Sequence, residues 1–205
     1  MLRALTINCT LKRGQDLSQS STARLLSEVG AQWRHLGVEV ESIHAAGLAI
    51  LPGVESDEGE GDDWPAVRRS IMKADILVIG TPIWLGQPSS ICKRVLERMD
   101  AFIHETDDAT GHMPPYGKVG GVAVVGNEDG AHHVCAEVFQ ALVDVGFTVP
   151  ASASTYWVGE AMGSTNYIDL QATPQKVQGT TRTLARLTAH LAGLLKASAY
   201  PSIKP

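Results

Sequence analysis

The segment Asp75-Ile76-Leu77-Val78-Ile79-Gly80-Thr81-Pro82-Ile83-Trp84-Leu85-Gly86-Gln87-Pro88-Ser89-Ser90 changes character at its midpoint. Residues 75–80 form a continuous apolar run, the pattern of a strand buried on both faces, as in a parallel sheet. The run stops at Thr81. A short loop of Thr, Pro, Gly and one large aromatic follows, and Ser89 is placed to cap a helix. Backbone amides, a hydroxyl and an indole are therefore expected together at the carboxyl end of a strand. In open α/β sheets ligands bind there.

The same alternation continues on both sides. Residues 2–8 read as a strand, 9–20 as a polar loop and 21–36 as a helix, with Leu25, Leu26, Val29, Trp33 and Leu36 at helical spacing before Gly37. Residues 38–44 alternate as a second strand. A helix is expected over 63–74, with Pro65 in its first turn, where a missing N–H costs nothing. Another follows over 89–103, then a strand over 118–126 and a helix over 131–145. A fifth strand is expected over 148–153, an irregular segment over 154–173 and a last helix over 174–199. Such alternation predicts a parallel sheet with helices on both faces, and right-handed crossovers leave few topologies. The expectation is one three-layer α/β domain over residues 1–205, with a five-stranded parallel sheet of order 2-1-3-4-5.

Composition narrows the function classes. The chain has 205 residues, 44% of them hydrophobic, enough for a substantial core. No apolar run approaches the roughly 20 residues of a membrane helix. The first residues are too short an apolar stretch for a signal segment, so no membrane and a cytoplasmic location are expected. Cys9, Cys92 and Cys135 are far apart, odd in number and without a CxxC pair, which argues for reduced thiols and no metal. With 17 basic and 22 acidic residues the net charge is −5, and no basic face points to nucleic acid. The acidic run over 55–63 reads as a solvated loop, with partner docking as the alternative.

Three loops carry candidate ligand-binding residues. The first holds the hydroxyls of Thr10, Ser18, Ser20, Ser21 and Thr22 and the cations Lys12 and Arg13, all before or opening a helix. It lacks GxGxxG and is no Walker loop. A helix N-terminus with added hydroxyls suits a phosphate monoester; an ordinary capped polar loop is the plain alternative. In the second loop, Thr81, Pro82, Ile83, Trp84, Leu85 and Gly86 would set amides against the polar edge of a flat ring such as flavin. Trp84 reads as a stacking residue or as a core or interface aromatic. In the third, Gly126, Asn127, Glu128, Asp129 and Gly130 follow another strand. Asn127 suits a pyrimidine edge, and Glu128 and Asp129 also suit the start of a helix. His132 and His133 point about 100° apart on a helix with no third ligand evident, so a helix-surface or subunit contact outweighs a role near the ligand, and both outweigh metal. Tyr156 and Trp157 sit where a loop would close over the site, cross to a neighbouring subunit, or simply pack.

Together these residues resemble the flavodoxin-like NAD(P)H-dependent FMN reductase family, with its quinone reductase relatives, over nearly the whole chain. Thr10, Lys12, Ser21 and Thr22 stand where the family's phosphate loop lies, here longer than usual. Thr81-Pro82-Ile83-Trp84 to Gly86 is the most specific match, to the family's isoalloxazine loop, and Gly126 to Gly130 matches more loosely. The resemblance implies FMN as cofactor and NADPH or NADH as hydride donor. It also implies a quinone, flavin or similar small molecule as electron acceptor, and a homodimer or homotetramer. A flavodoxin-like electron carrier with little NAD(P)H activity is the alternative. No side chain stands out as a general acid or base, and hydride transfer to a flavin requires none.

Overall fold

The structure, a computed structural model, describes residues 1–14 and 17–204; Gln15, Asp16 and Pro205 lie outside the described residues. In chain order the elements are β1 (Arg3–Asn8), α1 (Ser21–His35), β2 (Glu39–His44), α2 (Trp64–Lys73), β3 (Ile76–Trp84), β4 (Gln87–Pro88), α3 (Ser90–Met99), β5 (Val119–Gly126), α4 (Ala131–Asp144), β6 (Ser154–Val158) and α5 (Gln175–Ala197). β4 is a two-residue arm folded back antiparallel on the end of β3. The other strands are parallel in the order β2-β1-β3-β5-β6, which is the expected 2-1-3-4-5 with the arm set aside.

Strand alternation divides the core into two layers. Leu5, Ile7, Leu77, Ile79, Val122 and Val124 face α2, α3 and α4. Ala4, Ile76, Val78, Val119, Ala123 and Val125 face α1 and α5. Burial on both sides accounts for the unbroken apolar runs in the sequence. Where α1 and α5 meet, the Trp33 indole donates to Thr188 Oγ1 at 3.1 Å, which satisfies the polar edge of a fully buried ring.

Two boundaries differ from the sequence expectation. β3 does not stop at Gly80 but continues through Thr81, Pro82 and Ile83 to Trp84, pairing with β5 as far as Pro82↔Val125. Thr81 and Ile83 favour extended backbone, and the edge that Pro82 leaves without a donor lies at the end of the pairing. The last strand is Ser154–Val158 rather than 148–153. Thr148 makes only an isolated bridge to Val119. Pro150 then lacks a donor, Ser152 turns at φ 54°, and regular pairing resumes at Val122↔Ser154. Tyr156 and Trp157 consequently lie within a strand and face opposite sides of the sheet.

The acidic run is also not uniformly solvated. The Asp62 and Arg98 side chains are 0% exposed and pair at 2.8 Å. Arg98 also donates to the carbonyls of Leu51 and Glu55, and its guanidinium lies over the Trp64 ring. Asp62 accepts from the amides of Leu51, Glu58 and Trp64. Burial by itself would raise the Asp62 pKa. The Arg98 guanidinium and the three amides outweigh it and hold the carboxyl well below the usual range. Glu55, Asp57 and Glu60 stay at the surface, while Asp63 adds a second tie by accepting from the Ala49 amide at 2.7 Å, so the run mixes pinning and solvated carboxylates.

Removing either partner leaves a buried charge alone. Asp62→Asn and Arg98→Met are each expected to cost about 3–5 kcal/mol in urea denaturation. Because folding depresses the Asp62 pKa, its contribution is complete above the unfolded value of about 3.9 and is lost as pH falls from there towards the folded value. The wild type should therefore lose stability more steeply than Asp62→Asn below about pH 4; parallel slopes would count against the assigned pair.

Candidate functional site

At the carboxyl edge of the sheet, the end of β1 and the outer part of β3 are tied to the start of α3 by short contacts. Ser89 caps α3 by accepting from the Cys92 amide at 3.0 Å. Its hydroxyl donates to the Cys9 carbonyl at 2.5 Å, just past β1, and its amide donates to Thr81 Oγ1 in β3 at 3.0 Å. Thr81 is thus fully buried and spent on this knot rather than on a ligand.

A cleft opens above the knot. Thr10, Lys12, Ser21 and Thr22 form one end, at the N-terminus of α1. Pro82, Ile83 and Trp84 of β3 line it, as do Gly126, which ends β5, and Asn127 just after it. These expected residues converge as the sequence suggests. At the helix end, Ser20 is the cap itself: it is 1% exposed and accepts from the Ala23 amide at 3.2 Å, which makes it structural. Lys12 closes the loop by donating from Nζ to the Gln19 carbonyl. Ser21 Oγ accepts from the Ile168 amide at 3.1 Å, which leaves its hydroxyl proton for another acceptor. Ser18 is exposed and is not part of the cleft wall.

The second loop is a hairpin turn rather than an open amide cradle. Leu85 and Gly86 have φ of 52° and 75°, the backbone of a type I′ turn between β3 and β4. Their amides donate to Glu128 Oε1 at 3.2 Å and Glu128 Oε2 at 3.3 Å, so they are not free for a ring edge. A Cβ on Gly130 would sit 2.8 Å from Gly86 Cα, so only glycine admits this approach. Leu85, Gly86, Glu128, Asp129 and Gly130 thus frame the hairpin and do not line the cleft. Asn127 lines it, but its Nδ2 is committed to the Gly163 carbonyl at 2.7 Å and its own carbonyl to the Met162 amide at 2.8 Å. That residue fastens the loop after β6 across the site.

The remaining wall is Trp157, Asn166 and Tyr167, with Leu11 and Val125. Of these the sequence pointed only to Trp157. Its ring lies 5.5 Å from that of Tyr167, centroid to centroid. Tyr167 is held from behind by α1. Its hydroxyl donates to Glu28 Oε2 at 2.5 Å, and Arg24 lies over its ring at 4.8 Å. Arg24 Nη1 donates to the carbonyls of Tyr167, Ile168 and Leu170, and Glu28 Oε1 accepts from Thr173. Burial, then the hydrogen bond to Glu28, pushes the Tyr167 phenol well above its ordinary pKa, so it stays neutral. Tyr156, on the opposite face, bonds His132 Nε2 at 3.0 Å. His133 bridges Gln87 and Glu137 at the surface. Neither histidine lines the cleft.

The cleft therefore offers hydroxyls, an ammonium and a helix N-terminus at one end, and aromatic and proline faces along its length. An anionic group joined to a flat ring matches that division.

Comparison with known proteins finds relatives over nearly the whole chain. The protein from Streptomyces davaonensis named 8-demethyl-8-aminoriboflavin-5'-phosphate synthase is 34% identical over 97% of this chain and 80% of its own length. A crystal structure of RosB with bound intermediate OHC-RP (8-demethyl-8-formylriboflavin-5'-phosphate) is 32% identical, covers 98% of this chain and 82% of that one, and superposes with a TM-score of 0.86. A Mycobacterium bovis protein named divalent metal cation transporter MntH is 38% identical over 97% of this chain, but the match spans only 30% of that protein. Among the described residues no helix is long and apolar enough to cross a membrane. An apo NADH:FMN oxidoreductase (EMOB) shares the fold at a TM-score of 0.64 and 18% identity, over 98% of this chain and 93% of that one. The family described as NADPH-dependent FMN reductase matches residues 2–163, and this chain belongs to that family.

Proposed function

We propose that the cleft binds FMN and that the protein is an FMN-dependent oxidoreductase, taking hydride from NADPH or NADH and passing electrons to a quinone, flavin or similar small acceptor. The observation that carries this reading is the convergence of the α1 N-terminus, with Thr10, Lys12, Ser21 and Thr22, and the Trp84, Trp157 and Tyr167 rings in one cleft. The residues fit the group. The uncommitted Ser21 proton and the first-turn amides of α1 suit a phosphate, and the aromatic walls suit a flat ring system.

Thr10, Lys12, Ser21 and Thr22 would hold the phosphate, and Pro82, Ile83, Trp84, Gly126 and Asn127 would border the ring. The bound flavin would supply the two-electron chemistry. The chain's own part is to bind, to orient and to exclude water. Trp84 covers the cleft from the hairpin, and the Arg24–Glu28 pair keeps Tyr167 against the opposite wall. Because the Tyr167 hydroxyl is turned to Glu28, it serves as a wall and not as a proton donor to the cleft.

A second reading is favoured by the synthase named for a riboflavin phosphate and by the RosB structure that holds one. In it a flavin phosphate enters the same cleft as the molecule transformed and then leaves. The binding residues are the same in both readings; residence of the flavin separates them.

Anaerobic addition of NADPH, and separately NADH, to FMN-loaded, desalted protein tests the proposal. Stoichiometric bleaching of retained flavin is the expected result. Retained flavin that neither nucleotide reduces would overturn the hydride-donor half. Flavin that washes out, or returns with a changed mass, would favour the second reading. Trp84→Ala should weaken FMN binding roughly ten- to hundredfold, as loss of a stacking face does. Thr22→Ala should weaken it about tenfold through the phosphate end. Isothermal titration of the apoprotein reads both, and unchanged affinity in the two variants would remove FMN from this cleft.

A further inference from the structure

The hairpin that carries Trp84 is held by something other than its own packing. Leu85 is 92% exposed, so its side chain contributes little to holding a backbone at φ 52°. L-residues other than Asn and Asp seldom occupy that region, and such a conformation persists only when its surroundings over-determine it. Trp84 itself is 54% exposed, so burial alone does not fix its indole either.

The surroundings here are two contacts from the loop between β5 and α4. Gly130 packs directly against the Gly86 backbone, too close for any side chain. Glu128 meets the turn head-on. Consecutive N–H groups at a turn converge into a small anion-binding hollow. The Glu128 carboxylate fills it with one oxygen to each amide, at 3.2 Å and 3.3 Å. A charged acceptor strengthens both bonds relative to a neutral one.

We propose that Glu128 is the positioning residue of the ring wall. Its carboxylate locks the Leu85–Gly86 turn, and through the turn it sets where the Trp84 indole stands, while keeping both turn amides away from the ligand. The part that concerns ligand affinity rests on the flavin reading above; the part that concerns the turn does not.

Amide hydrogen exchange in the ligand-free protein, read by ¹⁵N NMR, tests the first part. Glu128→Ala should speed exchange at both Leu85 and Gly86 by about tenfold or more, consistent with loss of a charge-assisted bond at each. Glu128→Gln retains one acceptor oxygen and should leave one of the two amides protected. It also keeps the test informative if the alanine variant loosens the fold. Unchanged exchange at both amides in both variants would overturn the proposal.

FMN titration of the same proteins tests the second part. Glu128→Ala should weaken binding about tenfold in the wild-type background and less than about twofold once Trp84 is alanine, because residues acting through one another are not additive. Effects that multiply would show that Glu128 does not act through Trp84 and would overturn that link. Should the wild type bind no FMN, the flavin reading fails alone, and the exchange measurement still decides whether Glu128 holds the turn.

Discussion

Arg24 is the residue on which the far wall of the cleft depends. The segment between β6 and α5 has no ladder of its own, yet its backbone carbonyls must find donors. One guanidinium on α1 serves three of them, at Tyr167, Ile168 and Leu170, and still pairs with Glu28 one turn further on. Glu28 in turn receives the Tyr167 and Thr173 hydroxyls. The planar fork of arginine suits this duty as a lysine ammonium would not. The helix that presents its N-terminus to the cleft thus also supplies the clamp for the opposite side. Both ends of the site are referenced to one rigid element.

Two other loops are fixed by the same physical device, a charged side chain spent on backbone groups of an irregular segment. Arg98 and Asp62 do so for the loop before α2, fully out of water. Glu128 does so for the hairpin, at the surface. The first is a matter of stability, since an unpaired charge there would be costly. The second is a matter of geometry, since the turn it holds carries a cleft residue. Similar chemistry therefore serves different ends according to depth.

The sheet order and the two-faced core were legible because each central strand is apolar on both sides and each crossover helix carries a 3.6-residue stripe. Thr10, Lys12, Ser21, Thr22, Trp84 and Asn127 were legible as neighbours in one cleft because each lies at the carboxyl end of a strand, in the loop after it or at the start of the helix that follows, where topology alone brings segments together. Tyr167 and Asn166 were not. They lie in a stretch without periodicity, and the partner that orders it, Arg24, is 143 residues away from Tyr167. Nothing local marks such a pairing. Asp62 was hidden differently: a run of acids looks alike residue by residue, and only Arg98, 36 positions later, singles one out. From sequence, the amides of Leu85 and Gly86 point to a ligand because a loop holding Pro82 and Gly86 reads as open. A β-turn closed by Glu128 uses the same residues with the opposite consequence for their donors.

The break between Thr148 and Ser154 has a bearing on self-association. β6 is the outer strand on its side of the sheet, and an outer strand offers unpaired backbone groups to any other chain. Had pairing run unbroken from Thr148 to Val158, that edge would be long, straight and rich in Val, Tyr and Trp, a template for intermolecular sheet growth. Pro150 removes a donor and Ser152 bends the chain, so what remains is a short strand of Ser154–Val158 entered from an offset. The irregularity that brings Trp157 into register with the cleft also blunts the edge against aggregation.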